Sequence, residues 1–365
     1  MRLSVFPLLV AFLALPAGIA QAQGGVVHVY NWSDYIAADT LKDFEAATGI
    51  KVVYDVYDSN EIMEAKMLAG GSGYDVVFPT AQPFAERQIQ AGLYRKLDKS
   101  KLTNYDNLDP TILKPLETAD PGNEHAVPYM WGTTGLGYNV EKVRARLGAD
   151  MPTDSWGLIF DPAIAAKLAD CGISVMDDSM EAMTAALLYL GKDPNTHDPK
   201  DFEAAAELFK QVRPHIRYFH SSQYINDLAN GDLCVAHGYS GDILQARDRA
   251  EEAGKGVQVA YSVPCEGAIL WVDVMLIPSD APHPDNAHTF INYLLQPEVI
   301  AAISNEVAYA NANRAATPLV DESIRNDPGI YPSDETRERL VSMQTLPDRV
   351  QRDKVRVWTR IKSGR

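Results

Sequence analysis

Between residues 26 and 78 the pattern of apolar and polar positions switches between two periods. Short apolar or β-branched runs occupy 26–30, 51–55 and 74–78, and two segments with helical apolar spacing, 39–48 and 61–68, lie between them. Runs of the first kind predict strands, and segments of the second kind predict helices. The order β-α-β-α-β predicts a parallel sheet covered by helices, whose ligands gather at the carboxyl ends of the strands.

The alternation resumes after 129–134, which predicts a second α/β unit. The predicted strands are 135–138, 173–176, 234–239, 257–263 and 271–278, and the predicted helices are 163–168, 181–190 and 201–212. A chain of 365 residues is long enough for two domains. Two α/β lobes therefore fit this pattern better than one large sheet.

An apolar run over 3–20 follows a basic residue and ends in Ala20-Gln21-Ala22. A basic start, an apolar stretch and a small-residue motif are typical of a cleaved secretory signal. We expect residues 1–22 to be removed and the remaining chain to be exported in soluble form. No later stretch has about 18 consecutive apolar residues, so no transmembrane helix is expected.

Export affects the expected oxidation state of the three cysteines, which are Cys171, Cys234 and Cys265. Their spacing matches no zinc motif, and in an oxidising compartment one disulfide and one free thiol are expected. The sequence leaves three pairings open. Cys171 and Cys234 each adjoin a predicted strand, and two neighbouring strands would bring them together. We therefore favour a bridge between Cys171 and Cys234 and expect Cys265 to be free.

The net charge narrows the class of partner. The chain has 49 Asp and Glu residues against 33 Lys and Arg residues, a net charge of −16. Such an excess repels nucleic acids and anionic membranes, so neither is expected as a partner, whereas a cationic ligand is compatible with it. Apolar types make up 46% of the chain and charged types 22%, which excludes disordered, collagen-like and coiled-coil chains.

The motifs of common catalytic and metal sites are missing from the sequence. HExxH, GxxxxGK[ST] and GxSxG do not occur, and the glycine-rich segment 132–137 lacks dinucleotide spacing. The eight histidines are scattered, so we expect no metal and no cofactor. Adjacent carboxylates such as Asp177 and Asp178 leave one catalytic alternative, an exported hydrolase that uses two carboxylates.

Aromatic and acidic residues fall close together in three segments at or near predicted strands. These segments are Asn31-Trp32-Ser33-Asp34-Tyr35, Tyr239-Ser240-Gly241-Asp242 and Trp271-Val272-Asp273. Aromatic faces attract an organic cation and cover its methylene groups, and carboxylates accept charge-assisted hydrogen bonds from its N–H groups. Each segment alone is also typical of core packing beside a loop. Together they indicate a site for an organic ammonium ion.

Three longer motifs, NWSDYI at 31–36, RYFHSSQYINDL at 217–228 and YANAN at 309–313, resemble those of the periplasmic polyamine-binding proteins. These are the putrescine- and spermidine-binding components of ATP-driven importers. The resemblance covers essentially the whole exported chain and implies a two-lobed α/β periplasmic binding protein fold with the ligand cleft between the lobes. The implied lobes are discontinuous, 26–130 with 256–313 and 131–255 with 314–365. The chain would cross between them near 129–134, 254–257 and 313–317.

The resemblance also implies a set of ligand-binding positions. They are Trp32, Ser33, Asp34, Tyr35, Thr80, Glu181, Tyr239, Asp242, Trp271, Asp273 and Tyr309. The aromatic members would wall the methylene chain, Asp242 and Asp273 would bind one ammonium group, and Asp34 or Glu181 would bind another. Two of these assignments have alternatives. Met180 takes the place of Glu181 under a one-residue shift, and Ser33 can instead cap a following helix.

Three positions bear on the choice of polyamine. Trp271 stands where the putrescine-binding pattern can have Phe, Tyr239 replaces a larger Trp, and Glu181 would add a long carboxylate. A larger aromatic face, more room and more negative charge suit a longer, triply charged ligand. We therefore expect spermidine to be preferred over putrescine, which the same pocket can hold with a water in place of the third ammonium.

The expected function is that of a monomeric periplasmic receptor. It would bind a linear polyamine unaltered and deliver it to the inner-membrane permease of an ABC transporter. Such a receptor is not an enzyme and needs no cofactor. Two alternatives stay open: the two-carboxylate hydrolase, and a receptor of the same fold that holds iron through tyrosines. Indole walls disfavour the iron site because hard metal ions prefer oxygen ligands.

Overall fold

The computed structural model describes residues 25–364, and the predicted signal segment 1–22 lies outside them. The strands are β1 (Val26–Trp32), β2 (Lys51–Tyr57), β3 (Val76–Val77), β4 (Val127–Asn139), β5 (Ile173–Val175), β6 (Ile216–Phe219), β7 (Val235–Tyr239), β8 (Val259–Ser262), β9 (Ala268–Met275), β10 (Ala310–Asn311) and β11 (Leu340–Val341).

The helices alternate with these strands along most of the chain. They are α1 (Thr40–Thr48), α2 (Asn60–Leu68), α3 (Glu86–Gln90), α4 (Pro110–Leu116), α5 (Val140–Leu147), α6 (Gly157–Phe160), α7 (Pro162–Leu168), α8 (Ser179–Tyr189), α9 (Pro199–Val212), α10 (Gln223–Ala229), α11 (Ser240–Ala253), α12 (Pro284–Leu294), α13 (Pro297–Val307), α14 (Glu322–Arg325), α15 (Asp334–Arg337) and α16 (Asp348–Lys362). Among the described residues, no helix is long and apolar enough to cross a lipid bilayer.

The smaller sheet has the order β2-β1-β3, and its pairs are parallel, as the sequence predicts. β1 and β2 pair along their full seven residues, from Val26 opposite Lys51 to Trp32 opposite Tyr57. The connecting helix α1 ends at Gly49, whose φ of 73° is a conformation that glycine adopts without steric cost. Because all three strands run the same way, the residues that follow them lie along one edge of the sheet.

The larger sheet has the order β11-β9-β4-β7-β5-β6, with β8 and β10 also paired to β4. The thirteen-residue strand β4 pairs with β9 and β10 along its first half and with β7 and β8 along its second half. The segment 129–134, where a crossing is expected, lies inside β4 at the point where its partners change. The sequence predicts a strand only over 135–138 of this element.

Strand β9 joins the two sheets. Next to its pairing with β4, isolated bridges connect Val77 with Leu276 and Thr80 with Asp273. By contrast, β8 pairs with 136–139 of β4, the same part of β4 that pairs with β7. The chain therefore returns to the smaller sheet in β9, after residues 259–262 have paired with β4 as a strand of the larger sheet.

Cys171 and Cys234 form a disulfide, with Cα atoms 5.4 Å apart. Each cysteine lies just before a strand, and these strands, β5 and β7, are parallel neighbours with Ile173 opposite Val235. The predicted pairing is confirmed, and so is the neighbouring-strand argument behind it. Cys265 is a free, exposed thiol.

Candidate functional site

A cavity is lined by side chains that follow the carboxyl ends of strands in both sheets. β1, β2 and β3 contribute from the smaller sheet, and β6 and β7 contribute from the larger sheet, while β9 passes alongside. The lining residues are Trp32, Ser33, Tyr35, Asp58, Thr80, Ser221, Tyr239, Asp242, Trp271, Asp273 and Tyr309. Nine of these eleven belong to the set expected from the sequence.

The end of β1 is held in place by bonds to the neighbouring strands. Trp32 donates from its indole Nε1 to the carbonyl of Phe78, at 2.7 Å. Ser33 donates from its backbone N and its Oγ to the carbonyl of Tyr57, at 2.9 and 3.2 Å. Helix α1 begins only at Thr40, so Ser33 does not cap it. The chain after β1 is thereby fixed against β2, and its aromatic side chains turn into the cavity.

Asp273 forms one carboxylate of the cavity and is 4% exposed. Its Oδ1 accepts a hydrogen bond from Thr80 Oγ1 at 2.7 Å. Asn60 orients that threonine, since its amide donates to Thr80 Oγ1 at 3.0 Å and accepts from Thr80 N at 3.1 Å. Burial raises the pKa of Asp273 to about 7, although the Thr80 hydroxyl favours the ionised form.

Asp242 forms the second carboxylate, in the first turn of α11. Tyr224 and Tyr309 each donate a hydroxyl hydrogen bond to it at 2.7 Å. Burial raises the pKa of Asp242 to about 7 in spite of these two bonds. The donors around both carboxylates are neutral hydroxyls, and no Lys or Arg is among the residues that line this cavity. A cationic ligand would supply the missing positive charge.

Aromatic rings enclose the space around the two carboxylates. Trp271 packs edge-on against Tyr239, with ring centroids 5.6 Å apart, and is tilted against Tyr309 at 5.4 Å. Two glycines allow this approach, because a Cβ at Gly132 would lie 2.8 Å from Trp271 and a Cβ at Gly241 would lie 2.4 Å from Tyr309. Such walls can cover a chain of methylene groups and attract a cation at their faces.

Asp34 and Glu181, expected as ligand-binding carboxylates, do not line the cavity. Asp34 has a φ of 54°, and its carboxylate pairs with Arg249 at 2.7 Å. Glu181 is buried in the first turn of α8, where burial raises its pKa to about 8. Met180, the alternative to Glu181, is also buried and outside the cavity lining.

Two residues that line the cavity, Asp58 and Ser221, were absent from the expected set. Asp58 follows Tyr57 at the end of β2, so it repeats the pattern of an aromatic and an acidic residue at a strand end. The predicted strand stops at residue 55, which hid this pattern. Ser221 lies inside the motif 217–228 that carries part of the family resemblance. Among residues 25–364, no His, Cys, Asp and Glu side chains are grouped so as to hold a metal ion.

Residues 39–332 match the family described as bacterial extracellular solute-binding protein. The chain belongs to this family. It is 57% identical to the putrescine-binding periplasmic protein SpuD of Pseudomonas aeruginosa, over 96% of this chain and 95% of that protein. It is 52% identical to the putrescine-binding periplasmic protein PotF of Escherichia coli, over 97% of this chain and 96% of that protein.

A solved structure shows the same fold. The putative spermidine/putrescine ABC transporter from Listeria monocytogenes superimposes with a TM-score of 0.83 at 30% identity, covering 93% of this chain and 99% of that chain. The resemblance to the periplasmic polyamine-binding proteins and the predicted α/β fold class are thereby confirmed. The chain is a binding protein and not an enzyme, so the hydrolase alternative is excluded.

The buried carboxylates predict a pH-dependent stability of the ligand-free protein. The raised pKa of Asp273 means that the folded protein holds this proton more tightly than the unfolded chain, where the pKa of Asp is about 3.9. Its contribution to stability therefore falls as the pH rises from about 4 to 7. Asp273→Asn should raise the free energy of unfolding at pH 8, by about 1–3 kcal/mol, and by less at pH 5.

Urea denaturation of the ligand-free proteins at the two pH values measures this difference. Asp43→Asn, on the exposed side of α1, is the matched control and should give no such gain. An equal gain for Asp273→Asn at both pH values would contradict the prediction.

Proposed function

We propose that this chain is a periplasmic receptor that binds a linear polyamine in the cavity and delivers it to an ABC transporter in the inner membrane. The observation that carries the proposal is the pair of buried carboxylates, Asp242 and Asp273, in an aromatic cavity whose lining has no basic residue. The names of the relatives agree with this ligand class, since SpuD and PotF are both putrescine-binding periplasmic proteins.

A polyamine matches each part of the cavity. Its ammonium group offers N–H donors to the two carboxylates and replaces the water that burial removes. Its methylene groups have no polar atoms, so they can lie against Trp32, Tyr239 and Trp271 without an unmet hydrogen bond. A metal ion or a small inorganic cation would leave these aromatic faces uncovered.

The choice between putrescine and spermidine is the finer part of the proposal. The sequence predicts spermidine, and one of its three reasons depends on Glu181, which is not among the residues that line the cavity. The two relatives at 57% and 52% identity are named for putrescine, whereas proteins named for spermidine and putrescine are 34% identical. We propose putrescine as the ligand and keep spermidine as the second candidate, which the large face of Trp271 favours.

The cavity is lined by residues from both sheets, and we therefore also propose that two lobes move relative to each other when the ligand binds. The two lobes would be built around the smaller and the larger sheet, in a monomer, and would close over the ligand. The contacts that join the two sides include a hydrogen bond from Ser179 Oγ to Glu61 Oε1 at 3.0 Å and the ion pair between Arg249 and Asp34. A ligand touched by both lobes favours the closed form, because those contacts exist only there.

Removal of either buried carboxylate should weaken binding. Asp242→Ala and Asp273→Ala should each reduce the affinity for putrescine by roughly 2–4 kcal/mol, because each leaves a desolvated ammonium with one counter-charge fewer. Isothermal titration calorimetry of purified protein measures this loss, with Asp43→Ala as the surface control. Affinities of both cavity variants within about twofold of wild type, under roughly 0.4 kcal/mol, would refute the proposed ligand class.

Competition between putrescine and spermidine tests which of the two polyamines the protein prefers. Wild-type protein should bind putrescine at least as tightly as spermidine. Trp271→Phe should weaken spermidine more than putrescine, because the smaller ring covers fewer methylene groups of the longer chain. Displacement calorimetry gives both affinities on one scale. Tighter binding of spermidine to the wild type, by about tenfold, would select the second candidate instead.

Closure of the two lobes over the ligand predicts a decrease in the radius of gyration of the protein. Small-angle X-ray scattering should give a smaller radius of gyration with saturating putrescine than without it, because the ligand shifts the population toward the closed form. Asp273→Ala at the same putrescine concentration serves as the control and should retain the larger value. Superimposable profiles of wild type with and without ligand would show that binding needs no closure.

A further inference from the structure

Tyr224 lies behind the wall of the cavity and is not among the residues that line it. It is the second residue of α10, and its side chain is fully buried. A buried phenol needs partners for its hydroxyl, and this hydroxyl has two. It donates to Asp242 Oδ2 at 2.7 Å, and it accepts from the backbone N of Tyr239 at 3.1 Å. One oxygen outside the cavity lining therefore contacts two residues of that lining.

The ring of Tyr224 packs against the backbone of β7. A Cβ at Gly238 would lie 2.5 Å from this ring, so the lack of a side chain at residue 238 makes room for it. Tyr239 is the last residue of β7, and Asp242 lies in the first turn of α11. The Tyr224 hydroxyl thus joins the end of that strand to the start of that helix, and it positions an aromatic wall residue and a carboxylate together.

Backbone N–H groups fix the direction in which two tyrosine hydroxyls donate to Asp242. Tyr309 repeats the arrangement of Tyr224 on the other carboxylate oxygen, since its hydroxyl donates to Asp242 Oδ1 at 2.7 Å and accepts from Asp242 N at 3.1 Å. A backbone N–H can only donate, and a hydroxyl has a single hydrogen. Each hydroxyl therefore accepts from the backbone and directs its hydrogen to the carboxylate, which favours the ionised acid.

We propose that Tyr224 is a positioning residue for ligand binding, whose hydroxyl keeps the Asp242 carboxylate ionised for a cation and aligns it with Tyr239. This inference rests on the proposed function and deepens it, because it explains how a buried acidic group stays available to a cationic ligand. Tyr309 lines the cavity itself. Tyr224 is therefore the donor that can be changed without altering the cavity lining.

The proposal has a consequence for the pH range of binding. Burial raises the pKa of Asp242 to about 7, and the hydroxyls of Tyr224 and Tyr309 oppose that rise. Two charged groups also act on Asp242: Asp34, after β1, raises its pKa, and Arg249, on α11, lowers it. These two pair with each other at 2.7 Å, so their effects on Asp242 oppose one another. Loss of the Tyr224 hydroxyl should therefore raise the pKa of Asp242 further.

Tyr224→Phe removes the hydroxyl and keeps the ring against Gly238. Calorimetry should show that putrescine affinity falls by about tenfold at about pH 6, as a rise of about one unit in the Asp242 pKa implies, and by less than about threefold at about pH 9, where Asp242 is ionised in both proteins. The ionisation of Asp273 and of putrescine affects both proteins alike. Tyr218→Phe, which removes a hydroxyl bond to Asp227, is the matched control and should stay within about twofold of wild type at each pH.

Proton release gives a second readout. Calorimetry in buffers with different ionisation enthalpies counts the protons that putrescine displaces, and near pH 7 Tyr224→Phe should release more than the wild type because more of its Asp242 is protonated beforehand. If Tyr224→Phe does not fold, a fluorinated tyrosine at this position, which is a stronger donor, should move the pH profile of the affinity toward lower pH.

A loss of affinity that does not vary with pH, the absence of any loss, or unchanged proton release would overturn the positioning role. An unmoved profile with the fluorinated residue would do the same. Failure of the wild type to bind putrescine would instead overturn the proposed function.

Discussion

Two carboxylates buried in one cavity without a basic side chain constrain the rest of this structure. Three hydroxyls, from Thr80, Tyr224 and Tyr309, bond to Asp242 and Asp273, yet burial still raises both pKa values to about 7. Neutral donors therefore reduce the cost of burying the charges without cancelling it. Burial of the two carboxylates therefore costs least when a proton or a cation supplies the remaining charge, which is why the cavity suits a cationic ligand.

The scaffold holds the two carboxylates on different elements. Asp273 lies on β9, the strand that joins the sheets, and Asp242 lies in the first turn of α11, where the positive end of the helix dipole favours a carboxylate. Gly132 and Gly241 have no Cβ, which lets Trp271 and Tyr309 pack directly against the backbone. Strands and a helix thus carry Trp271, Tyr239 and the two carboxylates, whereas Tyr35 and Tyr309 lie between elements.

Local sequence patterns predicted much of this arrangement. The β-α-β-α-β order, the Cys171–Cys234 bridge and nine residues of the cavity lining follow from periodicity, neighbouring strands and family motifs. The placement of Asp34 outside the cavity lining depends on a distant contact. Asp34 pairs with Arg249, 215 residues away, and no local pattern contains that partner. Asp58 was missed because β2 extends two residues beyond the predicted strand 51–55, and helices after residue 212 were not predicted at all.

The lack of a basic residue in the cavity lining bears on ligand selectivity, as do the carboxylates and the aromatic rings. An amino acid carries an ammonium group that would suit Asp242 and Asp273, but its carboxylate would be buried beside theirs with no basic group to accept it. Like charges brought together in a desolvated site cost roughly several kcal/mol, so we expect a zwitterion to bind more weakly than a polyamine. A linear polyamine has positive charge and methylene groups only. The absence of Lys and Arg from the cavity lining therefore disfavours an amino acid, whereas the aromatic walls and the carboxylates match a polyamine.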